Sequence, residues 1–238
     1  MELTVVFDNN LFDGRLQTAW GFAAWLECGE RTVLFDTGGD GSLLLRNMAG
    51  LDRDPQTIDI IVLSHIHSDH TGGLEAVLAV KPDVAVYVPR AFPATLKHQV
   101  RSSGAIVVEV DGPVEILPDL WSTGQMGTSP IEQALVATTE QGLVVVTGCA
   151  HPGVDQMTAR ARDVGRRDIA LVVGGFHLGA AGRRRIEHIL SEFQRLGVQA
   201  VAPCHCTGRK ASQMLRQAYG GAFSASGVGW RWHSERSH

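Results

Sequence analysis

Short apolar runs alternate along this chain with segments whose apolar residues recur at helical spacing. Runs over 3–7, 22–27, 32–35, 58–63, 84–88, 106–110, 134–138, 143–147, 169–173 and 200–202 predict strands. The segments 41–49, 74–80, 91–101, 152–164, 183–196 and 210–218 predict helices. The early strands fall into hairpin-like groups, whereas the later ones alternate with helices. That mixture predicts a layered α/β (α+β) arrangement with helices outside rather than a purely doubly wound sheet. No Pro/Ser-rich linker, charge block, repeat or low-complexity segment divides the chain, so a single domain over 1–238 is expected.

Composition narrows the function classes. Of 238 residues, 44% are hydrophobic and 19% charged, enough apolar material for a buried core. A formal net charge of -4 removes overall electrostatic support for a nucleic-acid partner, and Arg183-Arg184-Arg185 reads as a solvated helix face. No run approaches the roughly 18 apolar residues of a membrane span. The start, Met1-Glu2-Leu3-Thr4, lacks a basic region followed by an apolar one, so a soluble, unexported, cytoplasmic protein without a membrane partner is expected. Cys28, Cys149, Cys204 and Cys206 have no disulfide-framework spacing, which fits a reducing compartment.

The chemistry concentrates in Ser64-His65-Ile66-His67-Ser68-Asp69-His70-Thr71-Gly72-Gly73, directly after an apolar run. At the extended end of a strand His65 and His67 leave on one face; on a helix they would diverge by roughly 200°. A strand-end loop is therefore expected, with the glycines turning the backbone sharply into the next apolar segment. Imidazole and carboxylate suit zinc and also admit iron or manganese. Other predicted strands end similarly, at Asp36-Thr37-Gly38-Gly39, Gly148-Cys149-Ala150-His151, Gly174-Gly175-Phe176-His177 and Cys204-His205-Cys206-Thr207-Gly208. Side chains at strand ends converge on one edge crevice, so separate segments can supply one site.

His65-x-His67-x-Asp69-His70 followed by Thr71-Gly72-Gly73, with Phe35-Asp36-Thr37-Gly38 upstream, resembles the metallo-β-lactamase superfamily. Within it, Thr147-Gly148-Cys149-Ala150-His151-Pro152-Gly153, Gly174-Gly175-Phe176-His177-Leu178 and Cys204-His205-Cys206-Thr207-Gly208 resemble the subgroup of dihydropterin-6-methyl-aminobenzene-ribofuranosyl-phosphate synthase-like proteins. The resemblance implies an αββα four-layer sandwich with one or two divalent metal ions, zinc foremost. Carried over, it gives His65 and His67 to a first metal, and Asp69, His70 and His205 to a second. Relatives place a further His in a Gly-His-Thr type motif and a bridging Asp in a Thr-Gly-Asp motif. This chain has Thr123-Gly124-Gln125-Met126-Gly127 at the first place and Cys149 at the second. His151 is expected to supply the missing imidazole; Cys149 is either a thiolate ligand or a buried small residue.

Four further candidates remain. Asp36 reads as a carboxylate holding a ligand histidine, or as a turn former. His177 reads as a donor to a substrate oxyanion, a ligand, or a packed histidine. Thr207, Gly208 and Arg209, ahead of Lys210, open a helical pattern suited to an anionic group, or to a plain surface. Cys204-His205-Cys206 as a structural zinc site is disfavoured, because no second Cys pair completes four ligands. His98, His188, His233 and His238 receive no role, and a polar tail is expected from about 233. The tryptophans Trp20, Trp25, Trp121, Trp230 and Trp232 are expected to pack in the core or at its rim. The expected function is a metal-dependent hydrolase, phosphodiesterase-like, using a metal-bound hydroxide on a small ester, phosphoester or pterin-like substrate. A related lyase or transferase stays open, as does a metal or redox binding protein without hydrolysis. Asp69 is expected to orient the nucleophile and carry protons.

Overall fold

A seven-stranded and a six-stranded sheet carry the fold in the computed structural model, which describes residues 1–234. Contacts divide the chain into two compact units, the first Met1–Asp111 with Gly227–His233 and the second built on Gly112–Ser226.

The first unit holds β1 (Glu2–Asp8), β2 (Phe22–Cys28), β3 (Arg31–Phe35), α1 (Gly41–Gly50), β4 (Ile60–Val62), α2 (Ser68–Thr71), α3 (Leu74–Val80), β5 (Ala85–Pro89), α4 (Ala94–Ser102) and β6 (Ile106–Val110). Its sheet order is β13-β1-β2-β3-β4-β5-β6, where β13 is Arg231–His233. The hairpins β1–β2 and β2–β3 are antiparallel; β3 to β6 run parallel through the crossovers that α1, α3 and α4 supply. Ile60, Ile61 and Val62 are all buried, as a parallel strand covered on both faces requires. β6, at the edge, exposes Ile106 and Glu109 instead. Asp40 caps α1 by accepting from Leu43 N at 3.0 Å. Buried Asn47 on that helix donates to Val6 O and Gln17 O and accepts from Gln17 N, tying down the loop after β1.

The second unit holds β7 (Val114–Leu117), β8 (Leu120–Ser122), β9 (Leu135–Thr139), β10 (Gly142–Thr147), α5 (Val154–Gly165), β11 (Ile169–Gly175), α6 (Arg183–Leu196), β12 (Ala200–Cys204) and α7 (Arg209–Tyr219). Its sheet order is β12-β11-β10-β9-β8-β7, parallel across β10, β11 and β12 and antiparallel beyond. On α6 the spacing of Ile186, Ile189, Phe193 and Leu196 makes one apolar stripe, and all four are buried. Gly197 ends that helix at φ 72, a left-handed position that glycine adopts without steric cost.

Three strands escape the periodicity reading, β7, β8 and β13. Each is only three or four residues long, and β13 occupies the start of the expected polar tail: His233 pairs with Glu2. The tail beyond Ser234, His238 included, lies outside the described residues. Of the tryptophans, Trp25 and Trp230 are buried, whereas Trp20 is 60% exposed. No helix among the described residues is long and apolar enough to cross a membrane.

Candidate metal-binding clusters

In the first unit β3 and β4 are parallel with Phe35 opposite Val62, so the residues that follow leave one sheet edge together. Asp36 stands there fully buried at φ 59 and donates its N–H to Val62 O at 2.9 Å. Its Oδ1 accepts from Ser64 N at 2.7 Å, and its Oδ2 accepts from Ser64 Oγ at 2.7 Å and His70 Nδ1 at 2.7 Å. A carboxylate only accepts, so His70 carries its proton on Nδ1 and presents the Nε2 lone pair. Because Ser64 gives its own proton to Asp36, it accepts from His65 Nδ1 at 2.9 Å, and His65 likewise presents Nε2. That Nε2 lies 3.1 Å from His67 Nδ1. The ligand atoms of His65, His67 and Asp69 lie within 4.8 Å of one another. One buried carboxylate therefore sets two imidazole tautomers for cation binding, which is how outer-sphere partners orient ligands.

His65 and His67 occupy a strand-end loop, while Asp69 and His70 sit on the single turn α2, with His67 as its N-cap. Gly72 and Gly73 have ordinary helical dihedrals, so left-handed turning is not why glycine stands there. Space is the reason: a Cβ on Gly73 would stand 2.1 Å from Thr37 O, and one on Gly72 2.6 Å from Ser68 O.

In the second unit the ends of β10, β11 and β12 lie side by side, with Thr147 opposite Gly174 and Gly175 opposite Cys204. They deliver Cys149, His151, His177, His205 and Cys206. Glu132, fully buried ahead of β9, organises the first of these ends. Its Oε1 accepts from Cys149 N at 2.9 Å and Ala150 N at 2.8 Å; its Oε2 accepts from His151 N at 2.8 Å and His151 Nδ1 at 2.8 Å. His151 thereby presents Nε2. The sequence carries no signal for this residue: it is a lone Glu, 19 positions from the histidine it holds.

Cys149, His177 and Cys206 bring ligand atoms within 4.8 Å of one another. Cys206 Sγ accepts from His177 N at 3.3 Å. A hydrogen bond from Cys149 outweighs burial and, with His177, draws the Cys206 thiol down to about 5. The same contact with Cys206 raises the pKa of His177. The rings of His151 and His177 stand 4.3 Å apart. Asp36, Ala150, His177 and His205 all hold positive φ at these strand ends, strain of roughly 1–3 kcal/mol each, of the kind stored at functional sites.

Thr207 is buried, its hydroxyl accepting from Phe176 N and donating to Cys204 O. A Cβ on Gly208 would stand 2.5 Å from Gly179 Cα, so that glycine packs against the neighbouring loop, and exposed Arg209 opens α7.

Comparison with known proteins decides the family. The profile of the metallo-β-lactamase superfamily matches residues 21–151, which include the first unit's whole cluster. The chain belongs to the metallo-β-lactamase superfamily. It is 28% identical over 235 residues to the 7,8-dihydropterin-6-methyl-4-(β-D-ribofuranosyl)-aminobenzene-5'-phosphate synthase of Methanocaldococcus jannaschii, covering 80% of each chain. A crystal structure described as a metal-dependent hydrolase of the β-lactamase superfamily superposes with a TM-score of 0.85 at 26% identity, over 99% of this chain and 100% of the other. The metallo-β-lactamase fold protein YhfI of Bacillus subtilis shares the fold, with a TM-score of 0.72 at 16% identity over 97% and 98% of the two chains. Superfamily membership thus accounts for the two mixed sheets with their helices and for clustered His, Asp and Cys donors suited to divalent metals.

Proposed function

We propose that this protein is a metal-dependent hydrolase acting on a small, anionic ester, phosphoester or pterin-like substrate. The observation that carries the reading is the Asp36–Ser64–His65 and Asp36–His70 hydrogen-bond set, which fixes ring tautomers before any ion arrives. The donor chemistry fits one or two divalent ions, for which the proposed donors are His65, His67, Asp69 and His70 in the first unit and His151 and His205 in the second. A divalent ion in such a set supplies a hydroxide-like nucleophile at neutral pH and neutralises charge developing on the substrate oxygen.

The remaining roles fall to the chain's own residues. Asp69, on α2 with its Oδ2 3.6 Å from His70 Nε2, orients the nucleophile and accepts its proton. Glu132 keeps His151 in the tautomer that binds through Nε2. His177, exposed and raised in pKa, donates to the substrate oxyanion. Arg209, exposed after Gly208, attracts an anionic group, with Thr207 and Gly208 fixing the turn that carries it. A lyase or transferase of pterin metabolism would use the same donors, a reading that draws on the synthase relative.

Metal analysis with a panel of phosphodiester and ester substrates tests the proposal. His67→Ala is expected to lose most bound metal and activity. Asp69→Ala is expected to keep part of its metal and lose turnover, and full activity in that variant would refute the role given to Asp69. The rival reading, a metal or redox binding protein without hydrolysis, predicts visible absorption in freshly purified protein and no turnover on any substrate of the panel.

A further inference from the structure

We propose that Cys149, His177 and Cys206 form a sulfur-rich cation site of the second unit, suited to a thiophilic ion of the zinc class. Two sulfurs and one imidazole meet at three adjacent parallel strand ends, with donor atoms within 4.8 Å of one another. Bonds of about 2.3 Å to sulfur and 2.0–2.1 Å to nitrogen bring such a set onto one ion with small side-chain rotations. Thiolate donors favour softer cations than the imidazole and carboxylate set of the first unit.

The backbone is shaped for the sulfurs. A Cβ on Gly175 would stand 2.7 Å from Cys206 Sγ and 2.4 Å from Gly148 O, so only glycine admits the thiol there. Cys206 Sγ also accepts the His177 backbone N–H at 3.3 Å, the kind of bond that steadies a coordinated thiolate. Cys149 is 4% exposed, Cys206 partly buried and His177 exposed, so the sulfur side is closed and the imidazole side faces solvent. Three protein donors leave a fourth position for water or substrate. The partner that completes the thiol pair is Cys149, distant in sequence, rather than neighbouring Cys204. The site stands on second-unit residues alone. Only its link to turnover rests on the proposed hydrolase reading: an imidazole bound through one nitrogen holds its proton on the other, where it can donate to an oxyanion.

Cadmium(II) is the probe. The full chain, stripped by a chelator, is titrated while thiolate-to-cadmium charge-transfer absorption in the ultraviolet is followed. The wild type is expected to show a saturating band. Cys206→Ser should halve it and weaken the affinity at least tenfold, and the band should persist in the His65→Ala/His67→Ala double variant. A full band in Cys206→Ser, or loss of the band in the double variant, overturns the site. A second readout needs no substitution: bound cadmium should slow iodoacetamide modification of Cys206 at least tenfold and leave Cys28 unchanged, and equal rates with and without cadmium overturn it too. Absent turnover with an intact cadmium band would sink the hydrolase reading alone.

Discussion

At the scale of single residues, two buried carboxylates do for this protein what its histidines cannot do alone. Glu132 accepts four hydrogen bonds, three from backbone and one from His151. Glu132→Gln replaces an accepting oxygen with an NH2 group facing donors, so it should cost roughly 3 kcal/mol in urea unfolding and weaken metal binding about 10- to 100-fold. Asp36→Asn is the gentler test, because Asn tolerates the left-handed backbone at φ 59. It should leave the melting temperature within a few degrees and still lower metal affinity about 10- to 100-fold in chelator competition, since His70 loses its orienting acceptor. Equal affinity in both proteins would remove Asp36 from the account. Burial pushes the Cys28 thiol up to about 11 from an ordinary 9.0. A thiol whose folded pKa lies above its unfolded value contributes stability below pH 9 that is lost as pH rises through 9 to 11. Native Cys28 should therefore resist alkylation at pH 8 and react at the rate of an unfolded thiol only in denaturant.

At the scale of elements, close backbone approach decides what the sequence can tolerate. Gly73→Ala would drive a Cβ to 2.1 Å from Thr37 O between two backbones that cannot yield, whereas a Cβ on Gly14 meets nothing within 4 Å and its φ is ordinary. Thermal melts should show Gly73→Ala losing several degrees or failing to fold, and Gly14→Ala matching the parent or gaining a few tenths of a kcal/mol. A neutral Gly73→Ala would mean that α2 and α3 shift freely. Periodicity made the long helices legible: α3 and α6 fall on their expected residues, because apolar spacing there coincides with burial on one face, while β6 shows as an apolar run of expected extent although its edge position exposes Ile106. It failed for β7, β8 and β13, where three or four residues give no period to read. The histidine cluster was legible because its donors are neighbours in sequence. Glu132 and the pairing of Cys206 with Cys149 were not, because each joins segments that only the sheet order makes adjacent.

At the scale of the whole molecule, each unit carries its own proposed donors, and an ion held by either set stabilises the fold that presents them. An ion that binds the native state and not the unfolded one stabilises by RT ln(1 + [L]/Kd), about 2.7 kcal/mol at a hundredfold excess over Kd. The apo protein titrated with zinc should therefore show a melting temperature that climbs with the logarithm of free metal. The slope separates the two readings of where ions sit. If the imidazole and carboxylate donors hold the ion, His65→Ala/His67→Ala should flatten the zinc dependence while Cys206→Ser leaves most of it. If the sulfur-rich cluster holds the tighter ion, the order reverses. A melting temperature indifferent to zinc in the wild type, over concentrations that restore activity, would mean that the native and unfolded chains bind the metal equally, and the tautomer-setting role of Asp36 and Glu132 would then have no energetic consequence.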